Sequence, residues 1–341
     1  MFAEVDGREF KAALSRVVIG TKPVLSLRLC DKFLYIQSRK AVVADTVVPV
    51  IRSDVTIPYD ISITYNKAVS LLNDSEAVQL IVDAHILTIR QNSFTCIAEE
   101  VPEDRVDVSL GQNSQRVKMS VTELMQMYSA SKALSRAMKE LGASTGSFQF
   151  KDGYGYLVLG DIAVRRKVTI PNCSITGSTI SELMSFVERS SIIESVIDND
   201  AKFIRLVQAN AVALTIPYRS ADERTIEVFN KILENAKFEL DMSFTKVTSI
   251  YKEFLSAFTK IPVDVMFTED QLVLYVEDGK VHCTIGASSH AGISIRITMG
   301  QLYAIISLFG TSPRVSVMRN TNCMILRDQF TTLIVSGLVL S

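Results

Sequence analysis

The chain lacks the features that would place it in several broad protein classes. No apolar run in its 341 residues approaches the roughly 18 residues that a membrane-spanning helix needs. Lys and Arg total 36 against 37 Asp and Glu, so there is no polybasic tail or acidic tract. Hydrophobic residues make up 48% of the chain, which excludes a disordered protein. We therefore expect folded domains that meet a charged partner through a local patch.

The sequence also lacks the usual frames of catalysis and metal binding. It has no G-x-S-x-G, no P-loop, no G-x-G-x-x-G and no H-E-x-x-H motif. The histidines are His85, His282 and His290, and only His282 has a metal-type neighbour, Cys283. Neighbouring residues on a strand point to opposite faces, so that pair cannot hold one ion. We predict a protein that is not an enzyme and needs no cofactor or metal.

Cysteine usage and the N-terminus indicate the compartment. The five cysteines are far apart and mostly lie in apolar, strand-like runs, which predicts reduced core residues. The first residues, MFAEVDGREF, carry Glu4 and Asp6 and do not have the basic and apolar regions of a secretory signal. We expect a cytoplasmic protein that is not in a membrane.

Six predicted hairpins recur along the chain. Each has a short polar turn between two alternating apolar runs, and Asp-Gly is the strongest such signal. The turns are Asp31-Lys32, Asp83-Ala84, Asp152-Gly153, Asn199-Asp200, Glu269-Asp270 and Asn320-Thr321. A third strand-like run follows each hairpin. The Asp-Gly segment, KDGYGYLVLGD, is not followed by a helix, so we interpret its glycines as a hairpin and not as a phosphate loop.

A helical stretch precedes each hairpin and opens at a residue suited to cap it. The predicted caps are Asp6, Thr64, Ser120, Thr179, Ser243 and Thr298, spaced about 55 to 64 residues apart. So narrow a period over five intervals indicates a repeat, and a short strand precedes each of the later caps. The repeat is therefore a β-α-β-β-β unit of about 57 residues.

One such unit has a single helix and sheet and cannot bury both faces, so units should pair into domains. The prediction is an α+β chain of six β-α-β-β-β repeats in three domains, at 1–112, 113–222 and 223–341. The polar segments GQNSQ (111–115) and RSADER (219–224) would be the linkers. A short helix, TIEVFNKILENA, is predicted after the second linker.

In this organisation the chain resembles the bacterial sliding clamp, the beta subunit of the replicative DNA polymerase III, over its whole length. AALSRVVIGTKPVLSLRL resembles the family's first helix and the basic loop after it. ISIRITMGQLYAIISLFGTSPRVSVM fits the family's last strand, helix and strand without a gap, and LIVSGLVLS occupies the place of its partner-binding tail. The resemblance implies a ring-forming DNA clamp fold, with two chains closing head to tail as a homodimer.

The resemblance also implies double-stranded DNA, bound without sequence preference, as a partner. Its phosphates would face basic residues on the helices and the loop at Lys22. These residues are Lys11, Arg16, Lys22, Lys67, Lys132, Arg136, Lys139, Arg189, Lys246, Lys252 and Lys260. Lys132, Arg136 and Lys139 follow helical spacing and form one row. The alternative interpretation of this row is an ordinary solvated helix face.

A peptide-docking groove is the second implied site, and it would bind a DNA polymerase and other proteins that carry clamp-binding peptides. The matching positions are Gly160, Ile162, Ala163, Val164, Gln301, Val335, Gly337, Leu338 and Val339. The alternative is that Val335, Leu338 and Val339 form only an edge strand. The tail has Ser336-Gly337-Leu338-Val339 where the family has a Met-Pro-Met-Arg type ending, which leaves the bound peptide open.

The predicted function is that of a sliding clamp, a processivity factor that encircles duplex DNA and tethers a polymerase. A clamp loader is implied as a further partner, and the site of action would be the nucleoid or, for a phage-encoded chain, the host-cell cytoplasm. The alternative is a clamp-fold protein that acts only as a scaffold for protein assembly or for transcription tethering. An enzyme that has borrowed the repeat is a third and less favoured class.

Overall fold

The computed structural model describes residues 1–18, 23–65, 71–103, 105–138, 146–159, 162–187, 191–236, 240–241, 262–267, 271–276, 282–286, 293–298, 308–309, 314–318 and 323–336. The chain divides into two compact units. Unit 1 comprises Met1–Val117 and Ser178–Tyr218, and unit 2 comprises Lys118–Gly177 and Arg219–Ser341. The three-domain division drawn from the repeats is a separate matter and stays a prediction.

Unit 1 combines two helices with a large antiparallel sheet. The helices are α1 (Gly7–Val17) and α3 (Gly177–Val187), the latter belonging to unit 1 from Ser178 onward. The strands are β1 (Phe2–Asp6), β2 (Val24–Leu29), β3 (Phe33–Arg39), β4 (Val43–Ser53), β5 (Tyr59–Thr64), β6 (Ala77–Asp83), β7 (Ile86–Gln91), β8 (Phe94–Glu99), β9 (Ser114–Arg116), β14 (Ile192–Asp198), β15 (Phe203–Gln208) and β16 (Ala213–Pro217).

These strands form one 12-stranded sheet whose main order is β8-β7-β6-β1-β4-β16-β15-β14-β9. β4 is the central strand, since it pairs with β1, with β16 and with β3, and β3 leads on to β2 and β5. β4 is 11 residues long and pairs with different strands along its length. Its residues Val43–Asp45 pair with β16, and Val50–Ser53 pair with β1. One long strand thus joins the two parts of the sheet.

Helix α1 packs one face on this sheet. Phe10, Ala13, Leu14 and Val17 are buried and recur at helical spacing, while Arg8 and Glu9 are exposed. The helix begins after Asp6, whose Oδ1 accepts a hydrogen bond from the Glu9 backbone N–H at 2.9 Å. The predicted cap at Asp6 is therefore confirmed.

Unit 2 contains the helices α2 (Val121–Met138) and α4 (Glu223–Glu234) and two antiparallel sheets. The strands are β10 (Ser147–Lys151), β11 (Tyr154–Leu159), β12 (Ile162–Lys167), β13 (Cys173–Thr176), β17 (Leu240–Asp241), β18 (Pro262–Phe267), β19 (Gln271–Val276), β20 (His282–Gly286), β21 (Ile293–Thr298), β22 (Arg314–Met318), β23 (Cys323–Arg327) and β24 (Thr331–Val335). The 8-stranded sheet has the order β13-β10-β11-β12-β24-β23-β22-β17, and the 4-stranded sheet has the order β20-β19-β18-β21.

All six predicted hairpins are antiparallel strand pairs. They are β2 with β3, β6 with β7, β10 with β11, β14 with β15, β18 with β19 and β22 with β23. At the third turn, Asp152 and Gly153 have φ of 52° and 78°, the left-handed backbone that a two-residue hairpin turn requires. The turns at Glu269-Asp270 and Asn320-Thr321 lie outside the described residues, and at the other four the turn residues were a reliable guide to strand pairing.

Only some of the predicted helix caps were confirmed. Ser120 precedes α2, and its Oγ accepts a hydrogen bond from the Glu123 N–H at 3.3 Å, as predicted. Thr179 was wrong as a cap, because α3 begins at Gly177 and Thr179 is buried inside its first turn. Thr64 and Thr298 end strands, and the segments 66–70 and 299–307, like Ser243, lie outside the described residues. The structure shows an α+β fold with four described helices, and the count of six repeats stays a prediction.

Cys96, Cys173 and Cys323 are buried, as predicted for core residues, and burial raises the pKa of the Cys173 thiol to about 12. Within the part of the chain that the structure describes, no group of three His, Cys, Asp or Glu side chains is placed to hold a metal ion. No described helix is long and apolar enough to cross a membrane.

Candidate partner-binding pocket

An apolar pocket of about 400 Å³ opens on unit 2, where strands β11, β12, β23 and β24 meet helix α4. It is lined by Val158, Ile162, Ala163, Arg224, Thr225, Val228, Phe229, Ile232, Cys323, Ile334 and Ser336. Most of these side chains are apolar, and the polar ones come mainly from the first turn of α4. A cavity of this size and lining is suited to hold a few apolar side chains of a ligand.

The strand side of the pocket is set by the pairing of β12 with β24. Ile162 lies opposite Val335, Ala163 opposite Ile334 and Val164 opposite Leu333. Because side chains alternate along a strand, Ile334 and Ser336 share one face of β24 and its continuation, and both line the pocket. Val335, between them, belongs to the opposite face and is buried.

Helix α4 supplies the other side. Thr225, Val228, Phe229 and Ile232 stand at i, i+3, i+4 and i+7, which places them on one stripe of the helix. Phe229 is buried and meets Tyr156 of β11 edge to face, with ring centroids 5.6 Å apart. The same stripe thus both anchors the helix to the sheet and lines the pocket.

Two groups of polar contacts fix the start of α4. Asp222 caps the helix, accepting hydrogen bonds from the Arg224 N–H at 3.1 Å and from the Thr225 hydroxyl at 2.7 Å. The hydrogen bond from Thr225 is the main reason that the pKa of Asp222 is lowered. The next residue, Glu223, pairs with Lys151 of β10 at 2.7 Å, which lowers the pKa of Glu223. These contacts hold Arg224 and Thr225 at the rim of the pocket.

Arg165 of β12 extends this packing beside the pocket. Its guanidinium carbon lies 4.7 Å from the ring centroid of Tyr154 and 5.9 Å from that of Phe229. Its Nη1 also donates to the side-chain oxygen of Asn230 at 3.3 Å. Cation–π contacts and a helix hydrogen bond therefore join β12 to α4, so the two sides of the pocket are fixed to each other.

The rim carries exposed apolar side chains. Val228 is 59% exposed and Val158 is 43% exposed, although both adjoin a buried cluster that includes Tyr156, Phe229 and Ile334. Exposed valines beside an apolar cavity form a continuous surface that water wets poorly. This arrangement can bind an apolar side chain that approaches from outside.

The predicted groove overlaps this pocket in part. Ile162 and Ala163 line it as described, whereas Val164 and Val335 are buried and are not among its lining residues. Gly160, Gln301, Gly337, Leu338 and Val339 lie outside the described residues. The sequence predicted the helix TIEVFNKILENA, which is α4, but did not assign it to the groove, although the spacing of Thr225, Val228, Phe229 and Ile232 was a signal for such a face.

Four of the predicted DNA-facing residues can be placed. Lys11 pairs with Asp74 at 2.7 Å, and Arg16 donates to the Asn210 carbonyl at 3.3 Å. Lys132 is exposed on α2, and Arg136 lies one turn further along that helix. The others, Lys22, Lys67, Lys139, Arg189, Lys246, Lys252 and Lys260, lie outside the described residues. The Nζ of Lys132 lies 5.8 Å from the centroid of the Tyr128 ring.

Comparison with solved structures identifies the fold as that of the bacterial DNA polymerase III beta sliding clamps. The clamp of Caulobacter crescentus aligns with a TM-score of 0.75 at 13% identity over 99% of both chains. The Pseudomonas aeruginosa beta subunit gives 0.72 at 11% identity over 99% of this chain and 100% of its own. The Helicobacter pylori beta clamp, solved with a DNA ligase peptide, gives 0.68 at 10% over 99% and 100%. No family model and no curated protein matches the sequence.

Proposed function

We propose that this chain, which has the fold of the bacterial beta clamps, is a DNA sliding clamp that tethers a DNA-acting enzyme through its apolar pocket. The observation that carries the proposal is the fold match over 99% of the chain, with TM-scores up to 0.75. The pocket between β12, β24 and α4 supports it, since it gives the fold a place to hold a partner. Fold alone does not fix function, so the two activities need separate tests.

The partner would be a linear peptide with apolar anchors. Such peptides derive most of their affinity from a few side chains buried in pockets, and this pocket offers Phe229, Ile162 and Ile334 as contacts. The Helicobacter pylori beta clamp was solved with a DNA ligase peptide, which sets a precedent for this fold. We expect a polymerase or another DNA enzyme to supply the peptide here.

DNA would be held loosely and without sequence preference. Phosphate contacts position a protein on a duplex and carry no sequence information. The basic row at Lys132, Arg136 and Lys139 would supply such contacts, while Lys11 is partly neutralised by Asp74. A modest positive charge suits a ring that stays on DNA by encircling it and still slides. No catalytic step is needed for this role.

Encirclement requires a closed ring, which we expect to be a homodimer opened by a clamp loader in the cytoplasm. Light scattering should report twice the mass of the chain. A monomer at all concentrations would contradict a dimeric ring.

Retention on plasmid DNA tests the proposal. The chain is incubated with a nicked circular plasmid and passed over a gel-filtration column, and the plasmid is then linearised and passed again. A sliding clamp co-elutes with the circle and is lost from the linear form. Equal co-elution with both forms would contradict encirclement.

A charge-reversal series tests the basic row. Replacing Lys132, Arg136 and Lys139 with Glu should weaken association uniformly across DNA sequences and lower the salt slope by about one unit per lost contact. The matched control replaces three basic residues of unit 1 with Glu, namely Lys32, Arg116 and Lys202. An equal loss in both triple variants would assign the effect to net charge alone.

A further inference from the structure

A second cavity, of about 310 Å³, lies in unit 1 where β3, β4, β15 and β16 adjoin the segment 105–108. It is lined by Tyr35, Asp45, Thr46, Val47, Arg105, Val108, Arg205, Ala211 and Ala213. In contrast to the apolar pocket, it holds two guanidinium groups and a carboxylate. None of these residues belongs to the partner-binding pocket or to the predicted DNA-facing set.

Strand register brings the charged residues to one face of the sheet. Gln37 of β3 and Ala213 of β16 both pair with Asp45 of β4. Arg205 of β15 pairs with Thr215, two residues beyond Ala213 on the same face. Residues that are distant in sequence therefore converge through strand pairing alone.

The segment 105–108 crosses this face and closes one side of the cavity. Gln37 holds it by two hydrogen bonds, donating to the Val106 carbonyl at 2.9 Å and accepting from the Val106 N–H at 2.8 Å. Asp107 accepts from Arg28 at 3.3 Å, and Arg205 donates to the Val108 carbonyl at 3.5 Å. Arg105 thereby lies against the Tyr35 ring, with its guanidinium carbon 5.2 Å from the centroid.

Several polar atoms at this site are buried without a partner. Asp45 Oδ1 accepts from Gln37 at 2.7 Å, but its Oδ2 has no hydrogen-bond partner among the described residues. Arg105 Nε and Nη1 are also without a hydrogen bond within the described part of the chain. The nearest carboxylate that pairs with Arg105 is that of Asp107, at 4.0 Å, the outer limit of an ion pair. Buried polar groups without a hydrogen bond destabilise a fold, so a ligand that supplies the missing hydrogen bonds would be bound favourably here.

We propose that this cavity binds a small organic or inorganic anion that carries a hydrogen-bond donor next to its negative charge. Two arginines facing one aspartate favour an anion, and the free oxygen of Asp45 favours a donor beside it. The volume of about 310 Å³ suits a molecule no larger than an amino acid or a phosphate group with a short substituent. Burial raises the pKa of Asp45, while the hydrogen bond from Gln37 and the charges of Arg205 and Arg105 act in the opposite direction.

Two kinds of ligand combine a negative charge with a neighbouring hydrogen-bond donor: the phosphate of a small ester and the carboxylate of a free amino acid. Inorganic phosphate and L-glutamate serve as probes, each titrated into the full chain by calorimetry. Saturable binding of phosphate alone assigns the site to phosphate compounds, and binding of glutamate alone assigns it to amino acids. Failure of both probes to saturate at about 1 mM, where binding free energy is near 4 kcal/mol, overturns the proposal.

Variants locate the binding. Arg105→Gln should lower the affinity for the probe by at least tenfold, since it removes a buried charge-assisted contact. Arg116→Gln is the matched control, because Arg116 is exposed, pairs with Glu194 at 2.8 Å and does not line the cavity. The control should bind within about twofold of the wild type. Unchanged affinity in Arg105→Gln, or equal loss in the control, places the anion elsewhere and overturns the proposal.

Arg205→Gln gives the same test should Arg105→Gln fail to fold, which a circular dichroism melt will show. Arg205 lines the cavity from a different strand and makes a single long contact to the Val108 carbonyl. Loss of the Arg205 guanidinium should also lower the affinity for the probe several fold. Binding at this cavity does not depend on ring closure or on a peptide, so it succeeds or fails separately from the proposed clamp function.

Discussion

The two cavities of this chain are similar in size and opposite in chemistry. The pocket of unit 2, about 400 Å³, is bounded by Phe229, Ile162 and other apolar side chains, whereas the cavity of unit 1, about 310 Å³, is bounded by Asp45, Arg105 and Arg205. The first continues a hydrophobic core to the surface. In the second, charged groups are buried and some of their polar atoms have no hydrogen-bond partner among the described residues. The comparison shows that one antiparallel architecture can build either kind of site.

The difference predicts opposite effects on stability. Residues of the apolar pocket also hold α4 on the sheet, so shortening them should destabilise unit 2. The Asp45 carboxylate of the charged cavity is buried at a cost, so neutralising it in the absence of a ligand should stabilise unit 1.

The largest effect is expected from Phe229→Ala. Phe229 is 3% exposed and packs against Tyr156, so its loss leaves a void between α4 and the sheet. The free energy of unfolding should fall by about 3 to 5 kcal/mol, as measured by urea denaturation. Val228→Ala is the control, since Val228 is 59% exposed and should change stability by less than about 1 kcal/mol. Similar losses in both variants would contradict the assignment of Phe229 to the core.

A smaller effect is expected from Asp222→Ala, which removes the cap of α4. The folded state lowers the pKa of Asp222, mainly through the hydrogen bond from Thr225, so the carboxylate stabilises the fold above its ordinary pKa and this contribution is lost as the pH falls. The melting temperature of the variant should therefore lie below that of the wild type at pH 7 and approach it in acid. Glu227→Ala, on the same helix, controls for loss of a carboxylate that is not a cap. A difference between Asp222→Ala and wild type that does not shrink in acid would exclude this role.

The smallest effect, and of opposite sign, is expected from Asp45→Asn. Burial raises the pKa of Asp45, so its ionisation destabilises the folded state at pH values above the raised pKa. Without ligand, the variant should be more stable than the wild type at pH 8, on the order of 1 kcal/mol, and the gain should vanish as the pH falls to the ordinary value for Asp. Thermal melts between pH 4 and pH 8 measure it. Destabilisation at pH 8 would show that Asp45 is already satisfied in the fold.

How much the sequence predicts differs between the two regions. The hairpin at Asp152-Gly153 and the helix after RSADER were predictable, since turn residues and helical spacing are local signals. The resemblance to the clamp family predicted Ile162 and Ala163 as groove residues, and both line the apolar pocket, while their part in binding a peptide stays a prediction. The role of Val228 and Phe229 was visible in their spacing but could not be assigned without knowing which face of α4 meets the sheet.

The charged cavity could not be predicted in the same way. Tyr35, Asp45, Arg105 and Arg205 lie on four separate segments, and only the register of β3, β4, β15 and β16 brings them together. Each residue taken alone is an ordinary polar position on a strand or loop. Register is set by the whole sheet, and no local pattern around Asp45 or Arg205 encodes it.

The affinity of linear peptides for variants of the two cavities is the sharpest test of a partner-binding role for the apolar pocket. Linear peptides are selected from a random library on the full chain, and their dissociation constants are measured by fluorescence anisotropy for the wild type, Val228→Asp and Val47→Asp. Both valines are exposed at a cavity rim, Val228 by 59% in unit 2 and Val47 by 41% in unit 1, so both variants should melt close to the wild type. We expect peptides with apolar anchors whose affinity falls at least tenfold in Val228→Asp and is unchanged in Val47→Asp. Equal affinity of Val228→Asp and wild type would contradict a partner-binding role for the apolar pocket.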